Sequence, residues 1–271
     1  MIHPTELLTS ILPRSVKKRV KEWLRYPVPY RFHRAKCVSR QRIEFHFRGR
    51  TIALESDYSV PLYETIAEIC DYDCYQINKI QFPKAEFLSI IDVGANIGSA
   101  AATMACLPNS FVTCFEPIKE NCDCLRSNMG MNGLTNYTIC CAAISDADGS
   151  AAFDIDPNES VAGSLAAERR VVGTTRRVVQ TLTLASAIAK CPTGTVHLLK
   201  SDCEGGEFAI VDQITPELAQ RILNLSFEVH DRDSIDNVHT LTAKLAGLGY
   251  KIQKIPEMFG RHGLHHILAS R

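Results

Sequence analysis

The chain has 271 residues, of which 45% are hydrophobic and 22% charged, a composition typical of a globular protein that buries a substantial core. No apolar run approaches the roughly 18 residues of a membrane-spanning helix, which excludes a transmembrane helix. The net charge is zero but uneven, because residues 1–50 carry 13 Lys/Arg and 3 Asp/Glu whereas residues 51–271 carry 17 and 27. This asymmetry favours an interpretation in which the basic N-terminal part of the chain packs against the acidic remainder. It leaves open the alternative that the basic region binds an anionic partner.

The eleven cysteines do not suggest a disulfide framework. Their odd number and the absence of a signal peptide lead us to expect a reducing, cytoplasmic setting. The pairs Cys70/Cys74 and Cys122/Cys124 lack partner pairs at zinc-finger spacing, so no structural zinc site is predicted.

Residues 1–85 are predicted to be an N-terminal extension with lid elements, followed by a single domain at 86–271. A basic amphipathic helix is predicted at 16–25, and we interpret it as a docking element on its own domain, with a membrane surface as the alternative. A β-hairpin is predicted from 43–47 and 51–54, and an amphipathic helix at 62–74.

From residue 87 onward, predicted strands and helices alternate, which is typical of a mostly parallel sheet. A polar stretch at 156–176 is predicted to be a loop. The predicted strands are 87–93, 111–115, 137–144, 150–155, 177–184, 195–202, 222–229, 250–255 and 264–269. The predicted helices follow residue 98, span 118–130, lie near 185–189, follow residue 207 and span 237–247.

A Gly-rich turn, Asp92-x-Gly94-x-Asn96-x-Gly98, connects the first of these strands to a helix. Such a turn lets a ligand approach the backbone, and Glu116 lies where a nucleotide-binding unit places the acid that holds ribose hydroxyls. The turn lacks the third glycine of the dinucleotide fingerprint, and a carboxylate at its start would repel a pyrophosphate. The pattern therefore points away from NAD and toward S-adenosylmethionine.

Charged side chains follow several other predicted strands. Since ligands bind outside the carboxyl ends of strands in open α/β sheets, these residues are candidates for the chemistry. They are Asp92, Glu116, Lys200, Asp202, Glu204, Glu228, His230 and Asp231.

Four segments together resemble the motifs of the FkbM-type S-adenosylmethionine-dependent methyltransferases, over roughly residues 87–231. They are Asp92-Val-Gly-Ala-Asn-Ile-Gly98, Phe115-Glu-Pro117, Lys200-Ser-Asp-Cys-Glu-Gly-Gly-Glu207 and Phe227-Glu-Val-His230. The resemblance implies an α/β class I methyltransferase, with a Rossmann-like, mostly parallel seven-stranded sheet, an antiparallel last strand and helices on both faces. It further implies O-methylation of a hydroxyl on a sugar or small natural product.

The resemblance also suggests roles for the motif residues. Asp92 would orient the cofactor's ammonium group or a bound water, Glu116 would accept from both ribose hydroxyls, and Asp202 would lie beside the methyl group. The methionine part would contact the backbone of Gly94, Ala95, Asn96 and Gly98, and the adenine would lie against Ala142 and Ala143. Pro117 is a further candidate for cofactor binding.

Methylation of an alcohol needs a group that removes the hydroxyl proton. Asp202, Glu204 and His230 are the candidates, and we favour His230, oriented by Glu228, because an unperturbed imidazole has the best-matched pKa. Asp202, Glu228, His230 and Asp231 could form a cation site, but the resemblance requires none and no metal is predicted.

Two alternatives stay open. One is a methyltransferase of RNA or of a carrier-bound substrate that uses the basic N-terminal region, and the other is a non-catalytic S-adenosylmethionine-binding module. The sequence specifies neither the acceptor nor the oligomeric state.

Overall fold

A computed structural model describes residues 36–39, 42–56, 62–80, 82, 87–156, 159–164, 175–256 and 263–271. The predicted helix at 16–25 lies outside these residues, and the division at 85/86 stays a prediction. No helix in the described ranges is long and apolar enough to cross a membrane.

The described residues form three sheets and seven α-helices, with one π-helical turn. The strands are β1 (Lys36–Ser39), β2 (Arg42–Phe47), β3 (Arg50–Glu55), β4 (Leu88–Val93), β5 (Ser110–Phe115), β6 (Tyr137–Cys140), β7 (Ala143–Ile144), β8 (Gly149–Asp156), β9 (Glu159–Ser164), β10 (Thr175–Leu182), β11 (Leu198–Ser201), β12 (Asn224–His230), β13 (Lys251–Ile255) and β14 (Leu264–Ser270). The helices are α1 (Leu62–Ile66), α2 (Ser99–Ala105), α3 (Lys119–Met131), α4 (Leu184–Ala189), α5 (Glu207–Asp212), α6 (Pro216–Arg221) and α7 (Val238–Gly247), and the π-helical turn is Ala67–Asp71.

The main sheet has seven strands in the order β13-β14-β12-β11-β4-β5-β6. The five strands from β12 to β6 pair in parallel, and β14 is antiparallel to both β12 and β13. The predicted parallel sheet with an antiparallel last strand is therefore confirmed.

Strand β4 lies at the centre and is buried along its whole length. Because successive side chains of a strand point to opposite faces, Leu88 and Ile90 join one core cluster while Ile91 and Val93 join the other. The first cluster includes residues of α2 and α3, and the second includes residues of α4, α5, α6 and α7. Helices thus cover both faces, as predicted.

The predicted hairpin is confirmed as β2 and β3, joined by a turn at 48–49, and β1 adds a third strand to it. Two asparagines, Asn128 of α3 and Asn132 just after it, hold its free edge. The side chain of Asn132 accepts from the N–H of Ala53 at 2.8 Å and donates to its carbonyl at 2.7 Å, and Asn128 bonds Glu55 in the same way. These amides replace the backbone partners that an edge strand lacks.

Three sequence predictions were wrong in detail. The helix expected at 62–74 ends at Asp71, because Asp73 has a left-handed backbone that a helix does not accommodate. The strand expected at 137–144 is split, because a turn in which the N–H of Ala142 bonds Cys140 O at 2.8 Å carries β7 into a separate four-stranded sheet, β7-β10-β8-β9.

The third error concerns the loop at 156–176, which contains β9, an antiparallel partner of β8. Its sequence, ESVAGS, lacks alternating apolar residues, so backbone pairing alone reveals the strand. Helix α6 was not predicted, although Thr215 caps it and Pro216 occupies its first turn, which is a recognisable start signal.

Candidate active site

A cavity opens at the carboxyl ends of β4, β5 and β11, where the strand order reverses around β4. Such a switch point is the usual ligand position in an open α/β sheet. The cavity lining combines apolar and acidic side chains. It consists of Val93, Gly94, Asn96, Phe115, Glu116, Pro117, Ile118, Ala143, Ile144, Phe153, Asp202, Cys203, Glu204 and Gly206.

Seven residues predicted as site residues line this cavity: Gly94, Asn96, Glu116, Pro117, Ala143, Asp202 and Glu204. Five others lie behind or beside it: Asp92, Ala95, Gly98, Glu228 and His230. Sequence reasoning missed Phe153, which reaches the cavity from β8. Nothing in the sequence indicates where the second sheet lies against the first, so no signal could have found it.

The Gly-rich turn is shaped by three residues with left-handed backbones: Gly94 (φ 71°), Asn96 (φ 49°) and Gly98 (φ 91°). A Cβ on Gly94 would lie 1.7 Å from the carbonyl oxygen of Asp202, so only glycine fits against the end of β11. The Oδ1 atom of Asn96 is buried and has no hydrogen-bond partner among the described residues. Because a buried acceptor without a donor is costly, this atom is a candidate ligand contact.

Glu116 is nearly buried beside this turn. Its Oε1 accepts from the N–H of Ile118 at 2.9 Å and from Asn121 at 3.2 Å, and its Oε2 accepts from the N–H of Asn96 at 2.9 Å. Burial raises the pKa of Glu116 to about 7 despite these donors. A carboxylate accepts about four hydrogen bonds, so the remaining capacity lies mainly on Oε2.

Behind the turn, Asp92 and Lys200 form a buried ion pair, with 3.0 Å between Oδ1 and Nζ and side chains 0% and 3% exposed. Burial raises the pKa of Asp92, and Lys200 opposes that shift. Burial also disfavours the charged lysine, but Asp92 and Asp202 outweigh it and raise the pKa of Lys200. Lys200 Nζ further donates to the carbonyl of Gly94 at 3.2 Å, so the pair braces the turn from below.

Asp202 is held by a residue that sequence reasoning did not assign. The hydroxyl of Tyr75 donates to its Oδ2 at 2.7 Å, and Lys200 Nζ lies 5.0 Å from the Tyr75 ring centroid. Burial would raise the pKa of Asp202, but Lys200, His230 and this hydrogen bond together hold it below its ordinary value.

His230 lies at the end of β12 among carboxylates. Its Nε2 is 3.4 Å from Glu204 Oε2 and 3.6 Å from Glu228 Oε1, and its Nδ1 is 3.4 Å from Glu207 Oε1. Burial would lower the pKa of His230, but Glu207, Glu204 and Asp202 raise it to about 10. The imidazole of His230 is therefore already protonated at neutral pH, which argues against the proton-accepting role expected from the sequence.

Glu204 has a left-handed backbone (φ 54°), and its side chain is 38% exposed at the cavity. Burial and the neighbouring carboxylates Asp202, Glu228 and Glu207 raise its pKa to about 7, against the lowering effect of His230. Of the three candidate bases, Glu204 is the one whose carboxylate both lines the cavity and is not engaged by Tyr75.

The sheet order, its one antiparallel strand and the position of the cavity define a class I methyltransferase fold. The sequence profile of the methyltransferase FkbM domain matches residues 92–252, more than half of the chain. The chain belongs to the FkbM methyltransferase family. No curated protein matches it.

Solved structures similar to this chain include methyltransferases. Methyltransferase FkbM from Methylobacillus flagellatus KT is 16% identical over 80% of this chain and 56% of that chain, with a TM-score of 0.48. Precorrin-6y C5,15-methyltransferase from Geobacter metallireducens GS-15 is 12% identical over 73% and 87%, with a TM-score of 0.44. A putative rRNA-methylase from Clostridium thermocellum is 7% identical over 68% and 88%, with a TM-score of 0.41. The chain spans just over half the length of the M. flagellatus protein.

Proposed function

We propose that this protein is an S-adenosylmethionine-dependent O-methyltransferase that acts on a hydroxyl of a sugar or small natural product. The observation that supports it most is the position of Glu204 and Asp202, which bring two carboxylates to the end of the cavity bounded by the Gly-rich turn. An alcohol needs a nearby proton acceptor during methylation, and this arrangement supplies one.

The residues of the cavity fit the proposed cofactor. The unpartnered Oδ1 of Asn96 would accept from the amino group of the methionine part, and the free capacity on Glu116 Oε2 would accept from a ribose hydroxyl. The apolar residues of the lining would suit a purine ring, and they include Pro117, Ile118, Ala143, Ile144 and Phe153. Asp92 would act through Lys200 rather than by direct contact, since its side chain is fully buried.

When bound, S-adenosylmethionine supplies a methyl group on a sulfonium, and the electron pair of the broken C–S bond stays on sulfur. The acceptor oxygen forms the new O–C bond with its lone pair and gives up its proton. We assign that proton to Glu204, because it lines the cavity and its side chain is 38% exposed there. Asp202, fixed by Tyr75, would orient the acceptor.

The test incubates the purified protein with S-adenosylmethionine and a panel of hydroxylated sugars and small natural products. Mass spectrometry then looks for products that carry one added methyl group on oxygen. Calorimetry measures cofactor binding separately. Absence of cofactor binding, or methylation confined to nitrogen, would contradict the proposal.

Glu204→Gln tests the assigned proton acceptor. We expect kcat to fall about 10²- to 10⁴-fold, while the dissociation constant of the cofactor changes little. Glu217→Gln on the exposed surface of α6 is the matched control and leaves both unchanged. Full turnover by Glu204→Gln would remove Glu204 from the mechanism.

A further inference from the structure

We propose that Asp202, Glu228 and His230 bind a divalent cation at the edge of the cavity. One ligand atom from each of these residues lies within 4.8 Å of the others. Asp202 also lines the cavity, so a cation held here would lie next to an entering acceptor. The role of the cation in catalysis rests on the proposed methyl transfer, whereas its binding does not.

The distances around His230 are compatible with ligands of a common ion. Its Nε2 is 3.6 Å from Glu228 Oε1 and 3.4 Å from Glu204 Oε2, beyond the usual hydrogen-bond range of about 2.7 to 3.2 Å. Two ligands that each lie about 2.1 Å from a cation, at tetrahedral or octahedral angles, are themselves about 3.0 to 3.4 Å apart. A small contraction of the cluster would therefore complete such a site.

Glu207 supplies an independent indication of a ligand. Its side chain is completely buried, and its Oε1 accepts from the N–H of Cys203 at 3.0 Å and lies 3.4 Å from His230 Nδ1. Its Oε2 has no hydrogen-bond partner in the described part of the chain. A histidine that binds a metal through one nitrogen commonly presents its other N–H to a carboxylate. Glu207 stands where that carboxylate would stand, and this leaves Nε2 directed at Glu228 and Glu204.

The local charge also favours a cation. Glu204, Glu207 and Glu228 surround His230 at the distances given above, and Asp202 completes the cluster. Glu228 Oε2 is already paired with His266 Nε2 at 2.7 Å, and Asp202 Oδ2 accepts from Tyr75, so the cation would be held by the other oxygen of each carboxylate. It would also replace the proton that His230 carries in the metal-free protein, because a metal-binding imidazole is neutral.

The donor set narrows the choice of ion. Two carboxylates and one imidazole suit Mn²⁺, Zn²⁺ or Fe²⁺ better than Mg²⁺ or Ca²⁺, which prefer oxygen ligands alone. A cation here would lower the pKa of a coordinated alcohol and so assist transfer of its proton to Glu204. The cation would be a Lewis acid and undergo no change of oxidation state.

The experiment titrates Mn²⁺ into the chelator-treated protein and follows the electron paramagnetic resonance signal of free Mn²⁺. We expect one ion per chain. Glu228→Gln and His230→Gln should each weaken binding at least about tenfold, since each removes one ligand. His239→Gln, an exposed histidine of α7, is the matched control and should bind as the unmodified protein does.

Circular dichroism verifies that the variants are folded. If the buried substitution Glu228→Gln prevents folding, His230→Gln still decides the test. No one-to-one binding, or binding that both variants leave unchanged, would overturn the site. Calorimetry with S-adenosylmethionine separates the two proposals, because Glu116→Gln should impair cofactor binding and leave Mn²⁺ binding intact. Mn²⁺ binding without methyl transfer would support the site and contradict the proposed function.

Discussion

The buried ion pair of Asp92 and Lys200 gives the sharpest test of how the site is held. Its two charges are 3.0 Å apart with side chains almost completely removed from water. Removing one partner of such a pair leaves the other charge buried and uncompensated, which typically costs about 3 to 5 kcal/mol. We therefore expect Asp92→Asn and Lys200→Met each to lower the free energy of unfolding by that amount.

The double variant should be much less destabilised than the sum of the single variants, because neither charge then remains without its partner. A coupling energy of about 2 kcal/mol or more is expected between these two contacting residues. For a domain of this size, about 3 to 5 kcal/mol corresponds to a fall in melting temperature of roughly 6 to 20 °C. Part of the lost stability should come from the Gly-rich turn, because Lys200 also donates a hydrogen bond to the carbonyl of Gly94.

The assay is urea denaturation of the four proteins, followed by circular dichroism. Lys119 and Asp123 provide the control cycle, because their ion pair is exposed, with side chains 78% and 51% accessible. That pair should couple by less than about 0.5 kcal/mol. If the destabilisation of the double variant equals the sum of the two single variants within about 0.5 kcal/mol, Asp92 and Lys200 do not stabilise each other as the structure indicates.

Three further expectations follow from the same contacts. Burial raises the pKa of Glu116 to about 7, and a ribose hydroxyl donates best to the ionised carboxylate. The affinity for the cofactor, measured by calorimetry, should therefore rise about tenfold from pH 6 to pH 8. For Glu116→Gln the affinity should not change with pH. Tyr75→Phe removes the 2.7 Å hydrogen bond to Asp202 and should lower the free energy of unfolding, measured by urea denaturation, by about 1.5 to 3 kcal/mol. An unchanged free energy of unfolding would refute the contact. Asn128→Leu should cost about 1 to 3 kcal/mol in the same assay, because the edge of β3 loses its side-chain partner, whereas an effect near zero would mean that water replaces the amide.

The sequence by itself determined that the segments of the main sheet are strands and which residues stand at their carboxyl ends. Continuous apolar runs are typical of buried parallel strands, and the Gly-rich turn follows from the backbone that Gly94 and Gly98 permit. Because the carboxyl ends of parallel strands share one edge, Glu116, Asp202 and Glu204 could be placed at one cavity without coordinates.

The tertiary structure alone decided which of these side chains contact one another. Lys200 faces Asp92 because the register of β11 beside β4 makes them direct partners, and no local sequence pattern specifies register between strands so distant in the chain. His230 looked like a base from its ordinary pKa, but α5 brings Glu207 against it. The physical reason is that a side chain's charge state depends on neighbours that meet only when helices and strands pack.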